Sequence, residues 1–176
     1  MTEDEKLRLD YDTTVRVLLA LADTRFKLLG FVPTISAAAI AFVSRGRPTS
    51  AELMAVGTVG LVATLGILVY ELRNTQLYDA AVARAGALEG ALGLEGGGLV
   101  GGRPKGGFRL LGTFEISQDR GLGLVYAAAL GGWSYLVVWG FAAAVHLSHP
   151  KAWGGGGAIV VALVVLADVT RLRAPA

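Results

Sequence analysis

Four long apolar stretches, separated by short or polar connectors, constrain this chain more than any other feature. They run Lys27–Val43, Leu53–Tyr70, Leu122–Leu147 and Ala158–Val169, the last extendable upstream through Trp153. A hydrocarbon core about 30 Å thick takes about 20 mostly apolar residues per helix. Three stretches meet or approach that length without an internal charge, and the fourth reaches it with its glycine run, Gly154–Gly157. Charged residues make up 17% of the chain, below the roughly 25% usual in soluble domains. The expected fold is therefore all-α: an integral membrane four-helix bundle of two hairpins. To it are added an N-terminal amphipathic helix, a cytoplasmic helical extension and a Gly-rich loop.

The pattern divides the chain into an N-terminal helix (1–26), a first transmembrane hairpin (27–70), a cytoplasmic helix with a Gly-rich connector (71–120), a second hairpin (121–170) and a tail (171–176). The first residues carry Glu3, Asp4, Glu5, Lys6 and Arg8 where a signal peptide shows a basic segment followed directly by an apolar run. The first helix is thus expected to be retained. Residues 1–8 read as polar and without regular structure. From Leu9 the apolar residues recur by threes and fours, with Asp10 or Asp12 as the cap. Leu18, Leu21, Ala22, Arg25 and Phe26 follow this spacing, and Tyr11, Val15, Leu18, Leu19 and Ala22 share one side. Such a helix either lies on the membrane surface or simply extends the first span into the cytosol.

Within the first span, Pro33 removes one backbone hydrogen bond and bends the axis. The freed carbonyl needs a partner in lipid, and Thr34 or Ser36 is expected to supply it. Pro33 is the candidate gating residue; proline is also common in membrane helices without any such role. Gly46 and Pro48 stop this helix, and Thr49 or Ser50 caps the next. That second helix runs on past Tyr70 without Gly or Pro to Ala85, is weakened at Gly86 and Gly90 and ends at Gly93, giving a helix from Ser50 to Leu92 roughly 65 Å long. Its stripe of Leu77, Ala81, Ala85, Leu88 and Leu92 is a candidate oligomer or partner face.

Residues 93–107 contain eight glycines, which ends regular structure. Gly96–Gly101 fits G-x-G-x-x-G literally, yet that fingerprint needs a strand before and a helix after it. Here a helix precedes and more glycine follows, so the segment reads as a hinge rather than a dinucleotide site. Glycine backbone beside Arg103, Lys105 and Arg109 is a candidate contact for an anion or lipid head group. An inert solvated loop is the plainer reading. Phe108–Ile116 alternates weakly and reads as a short hairpin or an interfacial loop.

Other chemistry is sparse. The chain has no cysteine, which excludes thiol catalysis and disulfides. His146 and His149 have no acid near them in sequence and read as an interfacial pair rather than metal ligands. Asp168 is expected to pair with Arg171 at a helix end, and Glu71 with Arg73 likewise. No span carries a charge at its centre, which argues against a midplane ion site. No catalytic, cofactor or metal residues are expected, and the net charge of +2 gives no ground for a duplex nucleic-acid partner.

Orientation follows from charge. Thirteen Lys and Arg fall in the N-terminal segment, the central connector and the tail, against Arg45, Arg47 and Lys151 on the other side. The positive-inside rule then places both termini in the cytoplasm. Twelve arginines against four lysines, with abundant Ala and Gly, fit a GC-rich bacterial genome and an inner-membrane location. Small residues at Gly57 and Gly60, Ala128 and Gly132, and Gly140 and Ala144 allow close helix packing, within one bundle or between protomers.

The layout, a few short spans plus a modest cytoplasmic sensing segment, resembles that of small bacterial transmembrane effectors of antiphage defence, in plan rather than by motif. The resemblance implies a non-enzymatic, homo-oligomeric channel- or pore-type effector, gated by a cytoplasmic protein or nucleotide-like ligand. The alternative is a membrane scaffold that docks a soluble partner on its cytoplasmic helix without a pore.

Overall fold

Thr2 starts the first helix. Its hydroxyl accepts the Glu5 N–H at 3.3 Å, and the Glu5 carboxylate accepts the Thr2 N–H at 2.7 Å. This reciprocal capping satisfies two donors that a helix start leaves open. The helix therefore begins at Glu3, not after residue 8, and neither Asp10 nor Asp12 is its cap. In the computed structural model, residues 2–44, 46–94, 98–101, 108–110, 114–116 and 118–171 are described, with backbone only for 108–120 and 169–171.

Helix α1 (Glu3–Ser44) and helix α2 (Ser50–Ala91) are each 42 residues long and unbroken. The N-terminal segment is thus a direct extension of the first span. Thr49 and Glu52 repeat the reciprocal cap at the start of α2, with bonds of 3.3 and 2.7 Å. Gly93, at φ +68°, ends α2. The Leu94 N–H returns to the Glu89 carbonyl and the Gly93 N–H to that of Gly90, the bond pair of a left-handed helix stop. Two three-residue strands follow, β1 (Phe108–Leu110) and β2 (Phe114–Ile116), antiparallel with Arg109 opposite Glu115. Helix α3 (Gln118–Ala144) and helix α4 (Pro150–Arg171) complete the described chain. The stop of α3 repeats that of α2 with a side chain in it. His146 takes φ 56° while Leu147 bonds back to Ala142. His149, at φ 55°, precedes Pro150, which opens α4 at the position where a proline lacks nothing.

All four helices are long and apolar enough to cross a membrane. The chain divides into two compact units, one of residues 1–29 with 69–106, the other of 30–68 with 107–176.

In the second unit α3 is the central helix. Half of its apolar window is buried, against 6% in α4. Glycine makes the approaches possible. A Cβ at Gly60 would fall on the Trp133 indole, one at Gly57 would meet Val137 at 2.8 Å, and one at Gly140 would meet Met54 at 2.8 Å. On the α4 side, Gly154 lies against Tyr135 and Gly157 against Val138. Gly57, Gly60 and Gly140 are thereby used inside the bundle. Ala39, Leu53, Trp133 and Leu136 form the shared core of α1, α2 and α3. Ile159, Val160, Leu163 and Val164 of α4 stay exposed, as a lipid-facing surface requires.

Candidate functional site

The first unit is a two-helix stalk, antiparallel, tied by polar contacts at successive levels. At its base the guanidinium of Arg25 pairs with the carboxylate of Glu71, whose side chain is only 2% exposed. Glu71 thus pairs across to α1 and not with Arg73, correcting the local pairing expected from the sequence. Arg73 instead donates to Gln76 at 3.1 Å. One turn outward the Asn74 amide donates to the Leu21 carbonyl at 3.2 Å. Further out Arg84 grips both oxygens of Asp10, at 2.9 and 2.8 Å. Leu18, Ala85 and Leu88 fill the space between, with buried Thr14 turned onto the Asp10 carbonyl.

The outer end holds the densest cluster. The Tyr11 hydroxyl donates to Glu89 at 2.9 Å, and the N–H groups of Val100 and Gly101 donate to the same carboxylate at 2.9 and 3.0 Å. The Leu99 N–H donates to the Tyr11 hydroxyl at 3.3 Å. A Cβ at Gly98 would fall on the Glu89 carboxylate, so only glycine lets the chain come this close. The bonds from Val100, Gly101, Tyr11 and the Leu99 backbone hold Glu89 below the usual carboxylate range, against the cost of burying it. On Tyr11 the Leu99 N–H pulls the other way, but burial and the negative charges of Glu89 and Asp12 win and raise it.

The sign of both shifts sets a pH window. Glu89, lowered on folding, contributes stability above its unfolded value of about 4.3 and loses it as pH falls. Tyr11, raised on folding, contributes below about 10 and loses it as pH rises. The knot should hold between these limits. Limited proteolysis in the Gly-rich connector is expected to be slow at pH 7 and to speed up at acid pH, as Glu89 takes up its proton. Glu89→Gln, which keeps the shape but not the charge, should be cleaved fast at both; slow cleavage of that variant at pH 7 would show that charge is not what holds the loop.

The stalk redistributes the residues singled out from sequence. Of the candidate partner face, Ala85 and Leu88 are buried in the protomer, Ala81 and Leu92 half-buried, and Leu77 exposed. Of the N-terminal apolar residues Leu18 is buried, whereas Leu19 and Phe26 face outward. Arg103 and Lys105 lie outside the described residues, as do Gly96 and Gly97 of the glycine motif; Arg109 is placed by its backbone in β1. Asp168 is exposed on α4, and the side chain of its expected partner Arg171 lies outside the described residues. Pro33 sits inside an unbroken α1, one turn beyond the boundary between the two units at Leu29 and Gly30. The hydroxyls of Thr34 and Ser36 accept no role at the Leu29 carbonyl that Pro33 frees; they donate to Gly30 and Val32 at 2.8 Å.

Glu89 was not singled out from sequence. Its signal was a lone acid in a run of Ala, Gly and Leu. Glu71 and Arg25 also left a trace: one acid just after the second span and one base just before the first, which an antiparallel hairpin brings level. No protein-family model matches this chain, and no curated protein or solved structure matches it.

Proposed function

We propose that the chain is a non-enzymatic, multi-pass protein of a bacterial inner membrane that works as an oligomeric channel- or pore-type effector gated through its cytoplasmic stalk. Both termini and the connector would be cytoplasmic. The observation that carries the reading is the division of α1. One helix serves two compact units, and the boundary falls at the carbonyl that Pro33 deprives of its hydrogen bond. A helix weakened at one point is where a rearrangement of the stalk can be converted into a bend of the span. The trigger is a cytoplasmic ligand or protein, and the Gly-rich loop held by Glu89 is the first surface it would meet. A scaffold that docks a soluble partner is the second reading, favoured by the exposed leucines of the stalk.

Ion flux from liposomes carrying the purified protein tests the channel. Pro33→Ala should restore the missing bond and change flux at least severalfold with normal insertion. An inserted Pro33→Ala protein with wild-type flux would confine Pro33 to packing, and absence of flux with the trigger present would favour the scaffold. The orientation is tested separately. Reporter fusions at Gly97 and at Arg47 should give opposite signals, from the thirteen-to-three charge asymmetry. Cytoplasmic signals from both would end the four-span reading.

A further inference from the structure

The stalk leaves two stripes exposed. On α1, Leu19, Asp23 and Phe26 recur at helical spacing, with Leu19 62% and Phe26 69% exposed and the Asp23 side chain 62% exposed. On α2, Tyr70, Arg73 and Leu77 do the same, with Tyr70 55% and Leu77 46% exposed. Residues three and four apart share a helix face, so each set is one continuous patch.

The two patches match level by level. Arg25 pairs with Glu71 and Asn74 with Leu21, which fixes the antiparallel register. Asp23 lies between Arg25 and Leu21, and Arg73 lies between Glu71 and Asn74, so the acid and the base stand at the same height. Phe26 adjoins Arg25 as Tyr70 adjoins Glu71. Leu19 and Leu77 follow just beyond the Leu21–Asn74 tie. An apolar pair, a charge pair and an aromatic pair therefore stack in the same order on both stripes.

They cannot meet within one chain. Two residues along a helix turn its face by about 200°. Asp23 thus points away from the side that carries Arg25, and Arg73 away from the side that carries Glu71. Among the described residues both charges have local partners: Asp23 holds Lys27 at 2.6 Å and Arg73 holds Gln76 at 3.1 Å, each on its own helix. Copies in one membrane, by contrast, share depth and orientation, so equal heights on two copies coincide. Aromatic residues near a membrane boundary also suit lipid head groups, so the weight rests on the outer two pairs. Leu19 lies about 12 Å of helix beyond Lys27, at 1.5 Å per residue. On the membrane reading above, with the edge of the hydrocarbon core at Lys27, leucines at that distance lie outside the lipid core.

Building on the oligomeric membrane reading above, we propose that the stalk forms the subunit interface of a closed ring. The Leu19–Asp23–Phe26 stripe of one copy seats on the Tyr70–Arg73–Leu77 stripe of the next, with Asp23 and Arg73 as an ion pair between subunits. The contact is heterologous, one patch meeting a different one, and such a contact repeats from copy to copy, forming a ring where the rotation between copies closes and an open chain where it does not. It uses Leu77 of the partner face suggested by sequence and replaces the buried Ala85 and Leu88 by residues of α1.

The absence of cysteine makes the test clean. Leu19→Cys and Leu77→Cys are introduced singly and together, and membranes are oxidised. The chain with both should give a ladder of multimers ending at the ring size; each single variant alone should give none, and the two co-expressed should give a dimer. Dimers from a single variant, a monomer-sized internal disulfide, or uncrosslinked monomer from the double variant would each overturn the interface. As a second measurement, Asp23→Arg and Arg73→Asp should each lower the oligomer fraction roughly two- to fivefold, the range for one exposed ion pair. Combined in one chain they should restore it; a combined variant no better than either single one refutes the pairing. Flux measured on the same preparations separates the two proposals. A ladder without flux removes the pore and leaves the interface, and flux without a ladder does the reverse.

Discussion

Glu71→Ala is expected to melt the stalk. Glu71 is 2% exposed and its Arg25 partner 15%. Removing one member of such a pair strands the other charge away from water, at a cost of about 3–5 kcal/mol. The pair sits where α1 and α2 leave their apolar stretches, so its loss should separate the arms from the base outward and expose the connector to protease. Thermal unfolding in detergent, with proteolysis as a local probe, measures it. Arg25→Met combined with Glu71→Leu removes both charges and should recover most of the loss, because a buried pair contributes little net stability over apolar residues of similar size. If Glu71→Ala melts like the wild type, the pair is solvated in the membrane-bound protein and the buried reading fails.

The second large effect is expected at Gly60. Its missing Cβ is the space that the Trp133 indole occupies. Alanine there would force α2 away from α3 or turn the indole out of its place, and overpacking of a filled core costs about 1–3 kcal/mol. The usual gain of alanine over glycine in a helix, about 1 kcal/mol, opposes it. The net should still destabilise, by about 1 kcal/mol, because the obstacle is a rigid ring and not a flexible chain end. Gly66 is the control: a Cβ there meets nothing within 4 Å, so Gly66→Ala should stabilise slightly. Gly60→Ala with Trp133→Leu should recover the loss. A Gly60→Ala protein as stable as Gly66→Ala would place the indole elsewhere.

Most of the helical plan was legible because apolar runs and glycine are local signals. The length of α2, its start at Ser50 and its end just before Gly93 follow from Thr49, an uninterrupted helical run and a residue free to take positive φ. The start of α1 was just as legible but was passed over. Thr2 and Glu5 stand three apart, as a reciprocal cap requires, yet the density of charge around them suggested a segment without structure. The stop of α3 was not legible in the same way. His146 takes the conformation that glycine takes at Gly93, and nothing in its side chain announces it.

The partners of the charged residues were another matter. Glu71 lies two residues from Arg73, and proximity in sequence favoured that pair; the register of two antiparallel helices favoured Arg25 instead. Glu89 acquires its role from Tyr11 and from the backbone of residues 99–101, which are brought to it by the turn at Gly93. The face of Leu88 read as an unmet surface because an amphipathic stripe states only that something covers it, and α1 is what does. By itself, then, the sequence determined four apolar helices, the extent of α2 and the asymmetry of charge between the segments, since each depends on the composition of one contiguous segment. Only the tertiary structure decided which acid meets which base, which leucines stay exposed and which glycines admit a ring, because these depend on the register between helices, to which residues far apart in the chain contribute jointly.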